Sequence, residues 1–112
     1  MTTTEPTVTQ STDTVPQFFG IKVGETRAGL TAYVDHGRQR IFFHTEIDDA
    51  YAGQGLASKL ISAALTATRA AGRRIVPICP FVKAYVEKHH DFDDILDPVT
   101  PEAVATVESA LG

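Results

Sequence analysis

The residues that could do chemistry fall into three groups along this chain of 112 residues. The first is Gly53-Gln54-Gly55 with Leu56, Ala57 and Ser58, between an alternating apolar run that ends at Ile47 and a long amphipathic segment. Glycines at a strand-to-helix junction let backbone N–H groups approach a ligand with no Cβ in the way. The unpaired donors and positive dipole end of the new helix favour an anion there, and a pyrophosphate is the expected ligand. The second group, His44 and Glu46, is two residues apart on a strand, so both side chains leave one face. There they either accept a proton from a substrate or hydrogen-bond each other and fix the strand. The third is Cys79, just ahead of the helix start at Pro80, a position that lowers a thiol pKa. It reads as a general acid, a transient acyl acceptor or a small buried hydrophobe.

Other chemistries fit less well. Gly53-x-Gly55-x-x-Ser58 lacks the third glycine of a dinucleotide fingerprint, and no acidic residue ends the next strand to hold a ribose. No Gly-Lys-Ser/Thr follows, so it is not a triphosphate loop. His44-x-Glu46 with a later Pro-x-Cys is half of a zinc-deaminase pattern, but one cysteine cannot complete it, and no metal is expected. His89 and His90 point in different directions on a helix and suit its negative end.

Positioning these residues takes a mixed α/β fold. Phe19, Ile21 and Val23 alternate as a strand; Val23-Gly24-Glu25 turns; Leu30, Ala32 and Val34 share one face of a second strand, Thr31 and Tyr33 the other. After a turn at Asp35-His36-Gly37, a third strand puts Phe43, Thr45 and Ile47 on one face and Phe42, His44 and Glu46 on the other. Leu56, Leu60 and Ala64, with Ala57, Ile61 and Leu65, form the apolar stripe of a helix stopped by Gly72. Ile75 to Cys79 is a short buried strand that Pro77 puts at an edge or a splayed position. A helix follows from Pro80 to about His90, with Phe81, Tyr85 and Lys88 on one side. Asp91 to Asp97 is expected to loop, and Thr100-Pro101-Glu102 starts a terminal helix. Arg69, Arg73 and Arg74 are expected at a solvated helix end rather than on a phosphate.

At this length one core is expected. Residues 1–15 are threonine-rich with little to bury and are expected as a disordered tail, 16–98 as the functional domain and 99–112 as a helical extension. A net charge of −4 argues against nucleic acid as a partner. No apolar run is long enough to cross a membrane and no signal pattern opens the chain, so a cytoplasmic protein is expected.

Ala52-Gly-Gln-Gly-Leu-Ala57, after a strand and before a long helix, resembles the acyl-CoA signature Arg/Gln-x-x-Gly-x-Gly/Ala of the GNAT N-acetyltransferases. Gly55 and Ala57 match its last two fixed positions, and Ala52 departs from the first. His44-Thr-Glu-Ile-Asp48, Pro77-Ile-Cys-Pro-Phe-Val82 and Ala28-Gly-Leu-Thr-Ala-Tyr33 are similar to a small, minimal branch of that superfamily, so the resemblance covers roughly residues 17 to 96. It implies an antiparallel three-strand meander, a crossover helix, a parallel strand, a helix and a short C-terminal helix. It implies acetyl-CoA in a cleft between the Ile47 strand and the Cys79 strand, its thioester near their splayed ends and its pyrophosphate at Gly53 to Ser58.

The resemblance also implies an acyltransferase moving an acetyl group to an amine by direct attack. Backbone donors of the Ile47 strand would polarise the carbonyl, Glu46 or His44 would take the amine proton, and Tyr85 would protonate the departing thiolate. Larger members wall the acceptor site with helices between their first strands. Here a turn stands in that place, so an open site is expected, suited to a protein amine, a small polyamine or completion by a partner chain. The chain is expected as a monomer or weak dimer. The alternatives are a module that binds or senses acyl-CoA without transfer, and an enzyme that first acylates itself on Cys79.

Overall fold

A computed structural model describes residues 6–51 and 55–112. Five strands form one sheet in sequence order, β1 (Pro6–Ser11), β2 (Gln17–Val23), β3 (Thr26–His36), β4 (Gln39–Ile47) and β5 (Arg74–Pro77). The first four are antiparallel, and β5 joins β4 in parallel after the crossover helix α1 (Leu56–Ala70). Helix α2 (Pro80–Lys88) and α3 (Pro101–Leu111) complete the chain, with 3-10 turns at Asp49–Tyr51 and His90–Ile95. This is the mixed sheet expected from the periodicities, with one strand more.

That strand lies inside the stretch expected to be an unstructured tail. Pro6–Ser11 pairs with β2 from Pro6↔Val23 to Ser11↔Phe18. Only Val8 packs against the core, so burial is not what holds it. Thr7, Val8 and Thr9 are β-branched and suit a pleated strand, and the main chain of β2 supplies the hydrogen-bond partners. The stretch 91–97 also differs from a plain loop. It coils as a 3-10 turn, and Leu96 bridges to Ile75 while the Asp97 N–H donates to the Ile75 carbonyl at 2.8 Å.

Both faces of the sheet are covered, unequally. On one, Phe19, Ile21, Tyr33 and Phe42 meet Leu56, Leu60, Ile61, Ala64 and Leu65 of α1 and Val82 and Val86 of α2. A fully buried Leu or Ile there contributes about 1.5–3 kcal/mol. On the other, α3 lays Ala103 and Val107 over Ile41 and Val76. Thr100 caps α3, its hydroxyl oxygen accepting from the Ala103 N–H at 3.1 Å, a contact that contributes about 1 kcal/mol.

A bulge in β4 corrects the facing of its aromatic pair. Ala32 pairs with His44 and Tyr33 with Phe42, so Phe43 is one residue more than β3 can match. Strict alternation put Phe42 opposite Thr45. The extra residue rotates the ladder by one position, so Phe42 shares the helix-covered face with Thr45 and Ile47, and Phe43 packs with Ile41 beneath α3. His44 and Glu46 still share a face, the one turned away from α1 and α2.

Candidate active site

Gly55 joins the end of the sheet to α1. Its φ of 74° and ψ of 13° lie in the left-handed region, which glycine enters without penalty. A Cβ there would meet nothing within 4 Å, so the backbone alone selects glycine. Gly55 is also the N-cap of α1, no side chain caps that end, and the first turn holds no acidic residue. The first-turn N–H groups, at Leu56, Ala57 and Ser58, are therefore left without an acceptor within the helix. Gly53 and Gln54, also expected at the phosphate, lie outside the described residues.

The cleft arises where β4 and β5 part. They pair from Gln39↔Arg74 to Phe42↔Pro77 and no further. The Cys79 N–H makes the last link, to the Phe42 carbonyl at 2.9 Å. Pro80 then starts α2 and draws the chain away, because proline at the first helical position forgoes an N–H that would be unpaired anyway. β4 continues to Ile47, leaving residues 43–47 without a ladder partner on that side among the described residues. Between the helices, Ala57 and Ser58 of α1, Phe81 and Tyr85 of α2 and His89 just past its end line a cavity of about 210 Å³. The Tyr85 and His89 rings lie 4.5 Å apart at 34°. Tyr85 thus lines the same cavity as Ala57 and Ser58 of the first turn of α1.

Cys79 is only 1% exposed. Its thiol donates to the Thr45 hydroxyl oxygen at 3.0 Å, and Thr45 in turn bonds the Thr31 hydroxyl at 2.9 Å. The thiol sits under the point where the strands part, tied to β4 and β3 through two hydroxyls. Thr45 is a partner that sequence reasoning missed; its place opposite Thr31 depends on the bulge.

His44 and Glu46 stand on the outer face of β4, their side chains 54% and 63% exposed, with Nε2 and Oε1 3.6 Å apart. Only Glu46 reaches the second opening, a cavity of about 450 Å³ at the end of β3 and β4. Arg27 and Leu30 line it, as do Asp48 and Asp49. Gly29 was not singled out from the sequence, yet a Cβ there would lie 2.5 Å from the Glu46 carbonyl oxygen and from Ile47 Cδ1. Glycine is what lets β3 press against β4 where this cavity forms. A glycine inside a strand was the available signal.

The arginines at the far end of α1 are engaged elsewhere. Arg69 makes a two-point contact with Asp94, both at 2.8 Å; Arg73 bonds the Gly37 carbonyl; Arg74 meets Asp97. Burial pushes the Asp97 carboxyl upward, but the hydrogen bonds from Gln39 and Arg74 outweigh it and hold the group below its ordinary range. Among the described residues, no helix is long and apolar enough to cross a membrane. No group of three or more His, Cys, Asp or Glu is placed to hold a metal among them.

Comparison with known proteins bears on the fold and the family. No curated protein matches the chain. The solution NMR structure of a GCN5-like N-acetyltransferase candidate from Staphylococcus aureus shares the fold. It matches with a TM-score of 0.60 at 20% identity, over 90% of this chain and 95% of that one. The family model for the GCN5-related N-acetyl-transferases matches residues 18–95. That match spans the parted strands, the glycine turn and both helices of the cleft, and by it the chain belongs to the GCN5-related N-acetyltransferase family.

Proposed function

We propose that the chain moves an acetyl group from acetyl-CoA to an amine by direct attack, with the activity housed in residues 16–98. The parting of β4 and β5 next to an uncapped helix start is the observation that carries this reading. A thioester placed there meets main-chain donors of residues 43–47, which polarise its carbonyl. A pyrophosphate placed at Gly55 to Ser58 meets the open end of α1. The amine nitrogen attacks the carbonyl carbon, the C–S bond breaks, the amine loses its proton and the CoA thiolate gains one. Glu46 is the better base, because it lines the cavity at the end of β3 and β4 and His44 does not. Tyr85, which lines one cavity with Ala57 and Ser58 of α1, supplies the thiolate's proton in this reading.

The acceptor is a cationic or readily protonated amine, such as a protein amine or a polyamine. Supporting this, the cavity beside Glu46 also carries Asp48 and Asp49, and β2 and β3 are joined by a two-residue turn at Gly24 and Glu25 with nothing to wall the site. The reading needs neither metal nor nucleic acid, and it fits a cytoplasmic protein.

Cys79 separates this from its alternatives. A thiol 1% exposed and donating to Thr45 favours packing over acyl transfer through sulfur. Incubation with acetyl-CoA, following free thiol and intact protein mass together, tests all three. Direct transfer releases thiol only when an amine is added and leaves the protein mass unchanged. A stable acetyl adduct lost in Cys79→Ala establishes the self-acylating route instead. Tight CoA binding with no release against a broad amine panel leaves a binding module and overturns the proposal.

A further inference from the structure

The cavity beside Glu46 holds a cation as well as carboxylates, and the fold takes trouble to put it there. β3 carries a bulge of its own: Ile21 pairs with Gly29 and Lys22 with Arg27, so Ala28 is one residue more than β2 can match. The extra residue brings Arg27 onto the face of Leu30, whose partner across the ladder is Glu46. Arg27 is exposed, yet its path is defined. Its guanidinium carbon lies 5.1 Å from the centre of the Phe18 ring. Its stem crosses β2 at Gly20, where a Cβ would sit 3.4 Å from Arg27 Cδ. From there it lines the cavity of about 450 Å³ together with Leu30, Glu46, Asp48 and Asp49. Among the described residues, none of those three carboxylates pairs with it. Glu46 has His44 at 3.6 Å, and the Asp48 carboxylate accepts from the Ala50 N–H at 2.9 Å.

We infer that Arg27 binds a carboxylate of the acceptor, so that the acceptor is an amino acid whose amine lies at Glu46. The inference rests on the transfer proposed above and narrows its acceptor. A guanidinium offers a fork of N–H donors that fits a carboxylate at two points. Stacking on Phe18 occupies one flat face and leaves the N–H edges free for such a contact. Charge selects the partner. Glu46, Asp48 and Asp49 share the cavity, so a singly charged carboxylate that brings its own ammonium group is repelled less than a phosphate. A polyamine would present Arg27 with like charge alone. Arg27 precedes Leu30 along β3, and Glu46 stands across from Leu30. At ~3.3 Å per residue and ~4.8 Å between strands, the Cα atoms of Arg27 and Glu46 are roughly 10 Å apart. That span suits a terminal amine separated from its carboxylate by a methylene chain lying along Leu30, rather than an α-amino group beside the carboxylate. The ammonium gives one proton to solvent through Glu46 before attack. It gives a second as the C–N bond forms and the C–S bond breaks, balanced by the proton that the CoA thiolate takes up. The carboxylate stays on Arg27 unchanged.

Thiol release from acetyl-CoA by the full chain tests this. The acceptors are straight-chain amino acids with a terminal amine, in increasing length, each beside its carboxamide, together with a polyamine. The carboxylate is expected to raise kcat/KM about ten-fold over the matched amide, through KM. Arg27→Gln is expected to erase that difference and Arg27→Lys to keep part of it, with thermal melting to check that both variants fold. An Arg27 that serves only the sheet would lower the acid and the amide alike, and that result overturns the inference. So does an acid no better than its amide, a preference that survives Arg27→Gln, or a polyamine that outruns every amino acid. In each of those cases amine-dependent release persists, so the transfer itself stands. No release with any amine overturns the transfer and this inference with it.

Discussion

The two ends of α1 are built for opposite purposes. At the C-terminal end every arginine has a carboxylate or carbonyl: Arg69 has Asp94, Arg73 has Asp35 and Gly37, and Arg74 has Asp97, which also accepts from Gln39. Arg40 nearby is buried against Asp35 and stacked on the Tyr33 ring. At the N-terminal end there is a glycine cap, no side-chain capping bond and no acidic residue. A helix start is normally satisfied by Ser, Thr, Asp or Asn at the cap, and a glycine in that place costs only roughly a few tenths of a kcal/mol. One end of the helix therefore holds the fold together, and the other is left to meet a ligand. Substitutions at the two ends should separate stability from CoA binding.

The largest effect is expected at the open end. Ser58 is exposed, in the first turn, and lines the same cavity as Tyr85. Ser58→Glu adds a negative charge where the helix dipole welcomes one, raising stability by about 0.3–1 kcal/mol. The same charge repels a pyrophosphate, and CoA affinity should fall about 100-fold, equivalent to about 2.7 kcal/mol. Calorimetric titration with CoA and thermal melting of one sample read the two opposite signs. An unchanged affinity would remove the pyrophosphate from this end of α1 and collapse the distinction between the ends.

The next effect is on stability alone. Asp97 is held below the ordinary carboxylate range by Gln39 and Arg74. Its contribution is thus fully present above the unfolded value near pH ~4 and is lost as pH falls through the lower folded value. Asp97→Asn should cost about 1–2 kcal/mol at neutral pH. That difference should shrink toward zero as acid titrates the carboxylate of the wild type. Denaturant melts across this range measure it, and CoA affinity should be unchanged. A loss of affinity here would show that the stapled end also shapes the cleft.

Helical features were the easiest to read from the sequence. Leu56, Leu60, Ala64, Ile61 and Leu65 are all buried as their spacing required, because a helix on a sheet has one covered face and period 3.6 reports it directly. Gly55 was legible for a related reason, since only glycine sits at its φ without strain. The strands were harder where they were irregular. Ile41-Phe42-Phe43 is three apolar residues in succession, and an alternating template can explain only two faces by assigning one wrongly; the bulge resolves it. Both faces of β4 are covered there, one by α1 and α2 and the other by α3, so polarity could not mark the slip. β1 was illegible because its pairing is through the main chain, which leaves little trace in side-chain pattern. The link from Thr31 through Thr45 to Cys79 depends on that bulge and on the β4–β5 register together, two long-range facts that no local window contains.

The smallest effect belongs to Arg69, and it tests whether the basic cluster has any part in the cleft. Its guanidinium grips Asp94 at two points, bonds the Asp91 carbonyl at 2.7 Å and lies over the Phe92 ring at 5.3 Å. The hydrogen bond with Asp94 is the main cause of its raised pKa. Leu56 and Arg69 sit near opposite ends of a 15-residue helix, which at ~1.5 Å per residue puts them roughly 20 Å apart. Arg69→Gln removes the charge and keeps much of the stem over Phe92. CoA affinity is expected to stay within about two-fold of wild type, since an exposed charge at this distance is screened. A ten-fold loss on titration at physiological salt would mean that the cofactor's phosphates extend along α1 to Arg69, and that Asp94 holds this arginine in place only until CoA arrives.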